Sequence, residues 1–554
     1  RVRFTPTTTT QATATLTMGA NDCSGAAIGV SVRGRGADDE LPACPVNPAF
    51  DPQLKWDWNG NTAVNNRASH EVWVTPLVSR LGDTNGDNVV TRDDMPRVIF
   101  VSFDRSRVSS PIASQESIND PIPSELRAVD GATGAEVWTT TLGANNEHAV
   151  QSAATPAIAD IDGDGKVEII AQKYILLPGV ETIPNGPKIN GKFARGFLIA
   201  FNFDGTFKWV SDEWTRRSEE IEDGGAPAVG DVDGDGFAEI ALGDHLFDHT
   251  GRLLWRGDGE KIGSTGHGPT SVLADVDGQP GLELVAGSRV YRRDGTVLWD
   301  RDDVADGHPA LADINGDGRN ELVIRNSQIH VLNAATGASL VTPFIPPTRE
   351  LMPRECQVQQ DPAGENEDTC SIIPTNPAIL NYDGGNDLEI FTSNQELITG
   401  YKLVGGQLQE IFRENIYDGS GASGPAGFDF DGDGDEEVVY ADENKLRTWE
   451  TGGTQTFEGD RQSVTIFEYA VIADIDLDGH AEMLVASNSP FIPTQFGGVR
   501  AYANNGVSWA QARSIWNQHA YVEAIVSELG VPLFETTPTP LPGFRNARAR
   551  CVPN

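Results

Sequence analysis

The feature that most constrains this chain is a nine-residue pattern, D-x-D-x-D-G-x-x-E, which it repeats. The pattern reads "DIDGDGKVE" at 160–168 and "DVDGDGFAE" at 231–239. Carboxylates this close repel one another unless a cation lies among them, so a cation-binding loop competes with a merely solvated acidic turn. In such a loop the first, third and fifth side chains turn inward. A glycine at position six permits the bend, the seventh residue offers its carbonyl and the ninth carboxylate closes the shell. An all-oxygen donor set favours calcium over zinc or copper.

Five copies are complete: Asp160, Asp162, Asp164, Glu168 with the Lys166 carbonyl; Asp231, Asp233, Asp235, Glu239 with Phe237; Asp313, Asn315, Asp317, Glu321 with Arg319; Asp429, Asp431, Asp433, Glu437 with Asp435; and Asp474, Asp476, Asp478, Glu482 with His480. Two weaker copies keep the ninth Glu but lose the fifth-position acid: Asp275, Asp277, Glu283 has Gln279 there, and Asn381, Asp383, Glu389 has Gly385. The first loop, "DTNGDNVVTRDD" at 83–94, has twelve-residue spacing, with Asp83, Asn85, Asp87, the Val89 carbonyl, Thr91 and a closing Asp94. Asn88 stands where glycine is usual, and asparagine tolerates the left-handed conformation. About five to eight calcium ions are therefore expected.

The loops punctuate a longer repeat. A small-residue entry strand ("TPAIADI", "GHPALADI") leads into each loop, and a β-rich run ("VEIIAQ", "NELVIR") and a third strand ("FLIAFN", "IHVLNA") follow. A glycine turn then precedes a fourth strand that often ends in tryptophan, at Trp138, Trp209, Trp255, Trp299, Trp449 and Trp509. Four short strands in a unit of about 40 residues are the signature of a propeller blade. The fold class predicted is all-β: an eight-bladed β-propeller over residues 51–512, with seven blades as the alternative count.

The pattern resembles the FG-GAP/VCBS-type repeat, the calcium-loop propeller repeat also found in integrin α heads, over about residues 75–510; "GGAPAVGDVDGDG" at 224–236 comes nearest to its motif. The resemblance implies calcium as a structural staple of each blade. It also brings a catalytic rival, because propellers of this general kind include rhamnogalacturonan lyases. No convergent base is visible among nine scattered histidines, so the expectation is a non-enzyme. Long insertions at 104–124, 174–195, 343–376 and 487–498 fall on the face opposite the metal loops, where an extracellular protein or glycan partner would bind.

Acidic residues number 81 against 41 basic, a net charge of −40, which excludes nucleic acid as a partner. No apolar run is long enough for a transmembrane helix. Five cysteines suit an oxidising compartment, and Cys23/Cys44 and Cys356/Cys370 are the expected disulfides, with Cys551 left over. The start at Arg1 fits a processed, extracellular or surface chain.

Residues 1–50 lie outside the repeat. "TTTTQATATLTM" alternates as a lone strand that is a flexible leader, a closing strand on its own propeller, or a strand donated to a neighbouring copy; donation would build a filament. Residues 513–554, with "RSIWNQHAY" and "GFRNARARC", are expected to cap the last blade. The expected function is a calcium-stabilised, non-enzymatic extracellular structural or adhesive scaffold, with polysaccharide binding or cleavage as the alternative.

Overall fold

The computed structural model describes residues 12–19, 27–34, 50–61, 68–104, 122–174, 194–216, 224–265, 268–347, 359–360, 366–367, 375–394, 396–418, 423–463, 468–488, 497–534 and 540–550. Cys23, Cys44, Cys356, Cys370 and Cys551, and most of the four long insertions, lie outside these residues.

Eight antiparallel sheets form an eight-bladed propeller. Their inner strands are Leu77–Ser79, Ala157–Ala159, Ala228–Gly230, Val272–Ala274, His308–Ala312, Ala378–Leu380, Pro425–Phe428 and Val471–Ala473. All of these residues are buried, whereas outer strands such as Leu253–Arg256 alternate between exposed and half-buried. Each blade thus runs from a fully packed centre to a solvated rim, and its apolar pattern weakens in the same direction. Blade five shows three paired strands; Ser339 and Phe344 add only single bridges.

The ring closes with strands from the two ends of the chain. The outer strand of blade eight is Pro52–Trp58, paired antiparallel with Gly498–Asn504. Two tryptophan placements change accordingly. Trp509 lies outside the strands, because the last blade's outer strand precedes the first blade in sequence. Trp449 ends a third strand, Lys445–Trp449, with Gln455–Asp460 outside it.

The remaining fourth-strand tryptophans lock neighbouring blades together. The indole N–H of Trp56 donates to Gly131 O at 2.7 Å, Trp138 to Phe203 O at 3.2 Å, Trp209 to His249 O at 3.1 Å, Trp255 to Arg293 O at 2.9 Å and Trp299 to Ala334 O at 2.7 Å. Each acceptor lies in the hairpin turn of the next blade. The turn glycine lies under the ring: a Cβ on Gly251 would sit 2.8 Å from Trp209, and its φ of +81° already favours glycine. The Trp56→Ala variant, which opens the seam between blades eight and one, should lose about 3–5 kcal/mol in urea denaturation.

Outer strands share a second feature. Seven blades carry a β-bulge in which one outer-strand residue has no partner across the ladder: Lys55, Val137, Lys208, Leu254, Leu298, Ile411 and Thr456. A bulge turns its extra side chain out of the regular alternation.

Residues 511–534 and 540–550, expected to cap the last blade, run along inner strands of several blades, the last among them. Trp516 exchanges backbone hydrogen bonds with Val78 of blade one, both 2.9 Å. Asn517 O accepts from Ile158 N of blade two at 2.8 Å, and the Gln518 side chain accepts from Val229 N of blade three at 2.8 Å. Leu541 O accepts from Asp313 N at 3.1 Å, Phe544 bridges Ile379, Asn546 bridges Gly427 and Arg513 O accepts from Asp474 N at 2.9 Å. The inner strand is each sheet's free edge, and in most blades the tail supplies an acceptor to one of its otherwise unpaired N–H groups or to the loop entry beside it. Trp516, His519, Tyr521 and Arg545 are buried in this tail, with the Tyr469 hydroxyl donating to His519 O at 2.5 Å.

At the other end, the segment expected as a lone strand is paired. Ala12–Gly19 runs antiparallel to Ala27–Gly34 in a separate two-stranded sheet, Ala12 opposite Gly34.

Candidate metal centres

Every nine-residue loop joins the first to the second strand of its blade, so seven such loops share one rim. Each is held by its own side chains. The first-position carboxylate accepts loop N–H groups: Asp231 from Gly234 at 2.7 Å and Gly236 at 3.3 Å, Asp429 from Gly432 at 2.6 Å and Gly434 at 3.1 Å. The fifth-position carboxylate accepts the seventh N–H, as Asp235 does from Phe237 at 2.8 Å and Asp478 from His480 at 2.9 Å. Position four takes positive φ throughout, and Leu477 does so at 63° in place of glycine.

The ninth glutamate has the same anchoring contact in all seven. Glu168, Glu239, Glu283, Glu321, Glu389, Glu437 and Glu482 each accept the second-position N–H through Oε2, at 2.7–3.2 Å. This ties loop to strand whether or not a cation is near, which accounts for the survival of that residue in the degenerate copies.

Three-carboxylate groups close enough to hold a metal ion occur at Asp160/Asp162/Glu168, Asp231/Asp233/Glu239, Asp275/Asp277/Glu283, Asp429/Asp431/Asp433 and Asp474/Asp476/Asp478. Two buried oxygens in these loops, Asp160 Oδ1 and Asp275 Oδ2, have no hydrogen-bond partner, and a hard cation would satisfy them. The residues therefore fit a divalent ion with oxygen ligands. The copy at Asp275, expected to be weaker, converges as fully as the complete ones.

The other three loops differ. At Asp313, the Asn315 amide donates to Glu321 Oε1 at 2.9 Å and its own oxygen accepts from Asp317 N at 2.9 Å. At Asn381, the asparagine backbone donates to Glu436 Oε2 at 2.9 Å. In the first loop Asn88 adopts φ 68°, the left-handed conformation expected of it. Asp94 turns back onto Thr84 N at 2.6 Å and Thr91 N at 2.7 Å. Burial works against its charge, but these backbone donors outweigh it and hold its carboxyl below the usual range.

Burial dominates elsewhere on the rim. It pushes Glu168, Glu283, Glu321 and Glu389 up to about 7, and Glu239 and Glu482 up to about 8. Asp429 and Asp474 rise to about 6, also through burial, with neighbouring loop aspartates adding to it. Glu239 and Glu482 in particular favour a proton or a cation at neutral pH.

Four rim residues lay outside the motif-based reading. Glu450 sits beside Glu437, and burial together with the Glu450 charge raises Glu437 well above its ordinary range. Lys55, Lys208 and Lys402 each reach into a loop. Lys208 Nζ donates to Asp162 Oδ2 at 2.7 Å and Glu168 Oε1 at 2.8 Å. Lys55 donates to Asp476 and, at 2.8 Å, to Glu482. Lys402 donates to Asp383 at 2.5 Å and Glu389 at 2.9 Å and lies 3.2 Å from Asp387.

Residues 429–485 match the family model described as an FG-GAP-like repeat. None of the curated proteins matches the chain. Among solved structures, the biofilm matrix protein Bap1 of V. cholerae superposes with a TM-score of 0.64 at 18% identity, over 91% of this chain and 100% of that one. Rhamnogalacturonan lyase YesW superposes with a TM-score of 0.50 at 14% identity, over 98% of this chain and 86% of that one. At these identities the likeness is one of fold.

Proposed function

From a chain that carries the FG-GAP-like repeat in an eight-bladed ring, we propose an extracellular, calcium-stabilised, non-enzymatic scaffold. The observation that carries this reading is the spread of the acidic loops, one to a blade around a single rim, with carboxylates converging in five of them. A stabilising staple needs repetition around the ring, whereas catalysis needs one convergent site. The tail adds support, since residues 511–534 and 540–550 occupy the inner-strand edges where a propeller could otherwise hold a small ligand. The fold-level likeness to a biofilm matrix protein over nearly the whole chain agrees with a matrix role. Among the described residues no helix is long and apolar enough to cross a membrane.

The Ala12–Gly34 hairpin is the proposed contact for self-association, because a two-stranded sheet keeps both outer edges available for pairing. The likeness to a rhamnogalacturonan lyase keeps polysaccharide cleavage as the second reading. Negative-stain microscopy and light scattering of the full chain, beside a form lacking residues 1–34, separate the two. Assemblies in the full chain that are lost in the shortened form are expected. A monodisperse monomer that releases unsaturated uronate ends from rhamnogalacturonan would overturn the scaffold reading.

A further inference from the structure

The eight acidic loops are not equivalent, and lysine is what divides them. In the loops at Asp160, Asn381 and Asp474 an ammonium bridges the third-position aspartate and Oε1 of the ninth glutamate. Oε2 of the same glutamate already accepts the second-position N–H. Both oxygens of the closing carboxylate are thereby engaged, and a positive charge stands between two of the groups that a divalent ion would need. We propose that these three loops are closed by the protein's own lysine in place of calcium, so that calcium is confined to the five lysine-free loops, among which carboxylates converge at Asp231, Asp275 and Asp429. This rests on the calcium reading above and narrows it.

The backbone explains the selection. Lys55 and Lys208 are both the extra residue of the outer-strand bulge, immediately before Trp56 and Trp209. In blades three and four the same bulge holds Leu254 and Leu298 before Trp255 and Trp299, and in blade one it holds Val137 before Trp138. The bulge aims whichever side chain it carries, so one residue decides which kind of cation the neighbouring loop receives. Blade six reaches the same end from its third strand, through Lys402. In the Asp160 loop, Asp160 Oδ1 stays unpartnered beside the lysine bridge, and a metal ion would recruit it once the lysine was gone.

The proposal predicts reciprocal exchanges, read by counting bound radiocalcium in equilibrium dialysis of the full chain. The unsubstituted protein should bind no more than five ions. Lys208→Met should bind one more than the unsubstituted protein. Leu254→Lys should bind one fewer, because it places an ammonium at the Asp231 loop. Leu254 is 42% exposed, so this second variant should fold even if Lys208→Met does not. Six to eight ions on the unsubstituted chain, or an unchanged count in either folded variant, would overturn the proposal while leaving calcium in place. Absence of binding in every form would overturn the calcium reading and this one with it.

Discussion

Removing residues 511–550 is expected to leave a chain that no longer melts cooperatively and elutes as expanded or aggregated species in size-exclusion chromatography. The tail supplies hydrogen-bond acceptors to inner strands of blades one, two, three, five, six and eight, counting loop-entry groups such as Asp313 N and Asp474 N, and donates Ala547 N–H to Gly427 O of blade seven. Its loss would strand those donors and expose apolar inner faces at the same time, two penalties that add. A milder probe is Trp516→Ala. Trp516 is fully buried and stacks on Tyr521 with ring centroids 4.5 Å apart, so the truncation should cost about 3–5 kcal/mol. A shortened chain with an unchanged melt would mean that the ring stands without the tail.

Chelation should produce the second large effect. A site kept at a hundred times its Kd adds about 2.7 kcal/mol. With an unfolding entropy of about 2.1 cal/mol/K per residue, a chain of this size loses roughly 0.9 °C per kcal/mol, so five filled loops give about 12 °C. The drop should depend on pH. Glu239, pushed up to about 8, and Glu283 and Glu321, pushed up to about 7, start from an ordinary 4.5 in the unfolded chain. Between those values the folded, metal-free protein binds more protons than the unfolded one, so its stability falls as pH rises through 7 to 8. A divalent ion replaces those protons and binds better over the same range. The chelator-induced drop should therefore be small near pH 5.5 and large near pH 8.5. A drop of equal size at both values would remove the buried glutamates from the account.

The repeat made much of this molecule legible. Acid spacing located the acidic loops between first and second strands, and four β-rich runs per unit gave the blade count. Tryptophans and turn glycines were visible too, but only as separate signals, because the contact joins residues such as Trp209 and Gly251 in successive blades. The outer strand of blade eight was hidden by order along the chain: Pro52–Trp58 precedes every blade, and Trp509 took its place in the pattern. The dipeptide Lys-Trp occurs at both 55–56 and 208–209, yet alternation cannot show a bulge re-aiming the lysine. Residues 511–550 carry no periodicity at all, since their partners come from many blades and not from one face.

The pairing of Pro52–Trp58 with Gly498–Asn504 also sets the order of folding. Asp51 N and the Asn504 side chain, 453 positions apart, share a hydrogen bond of 2.8 Å. Contacts of such sequence separation form late, because loop-closure entropy must be spent before they return anything. The seam between blades eight and one and the eighth blade itself both wait for residues beyond 497. Blades one to seven, each built from one contiguous stretch of chain, need no such closure.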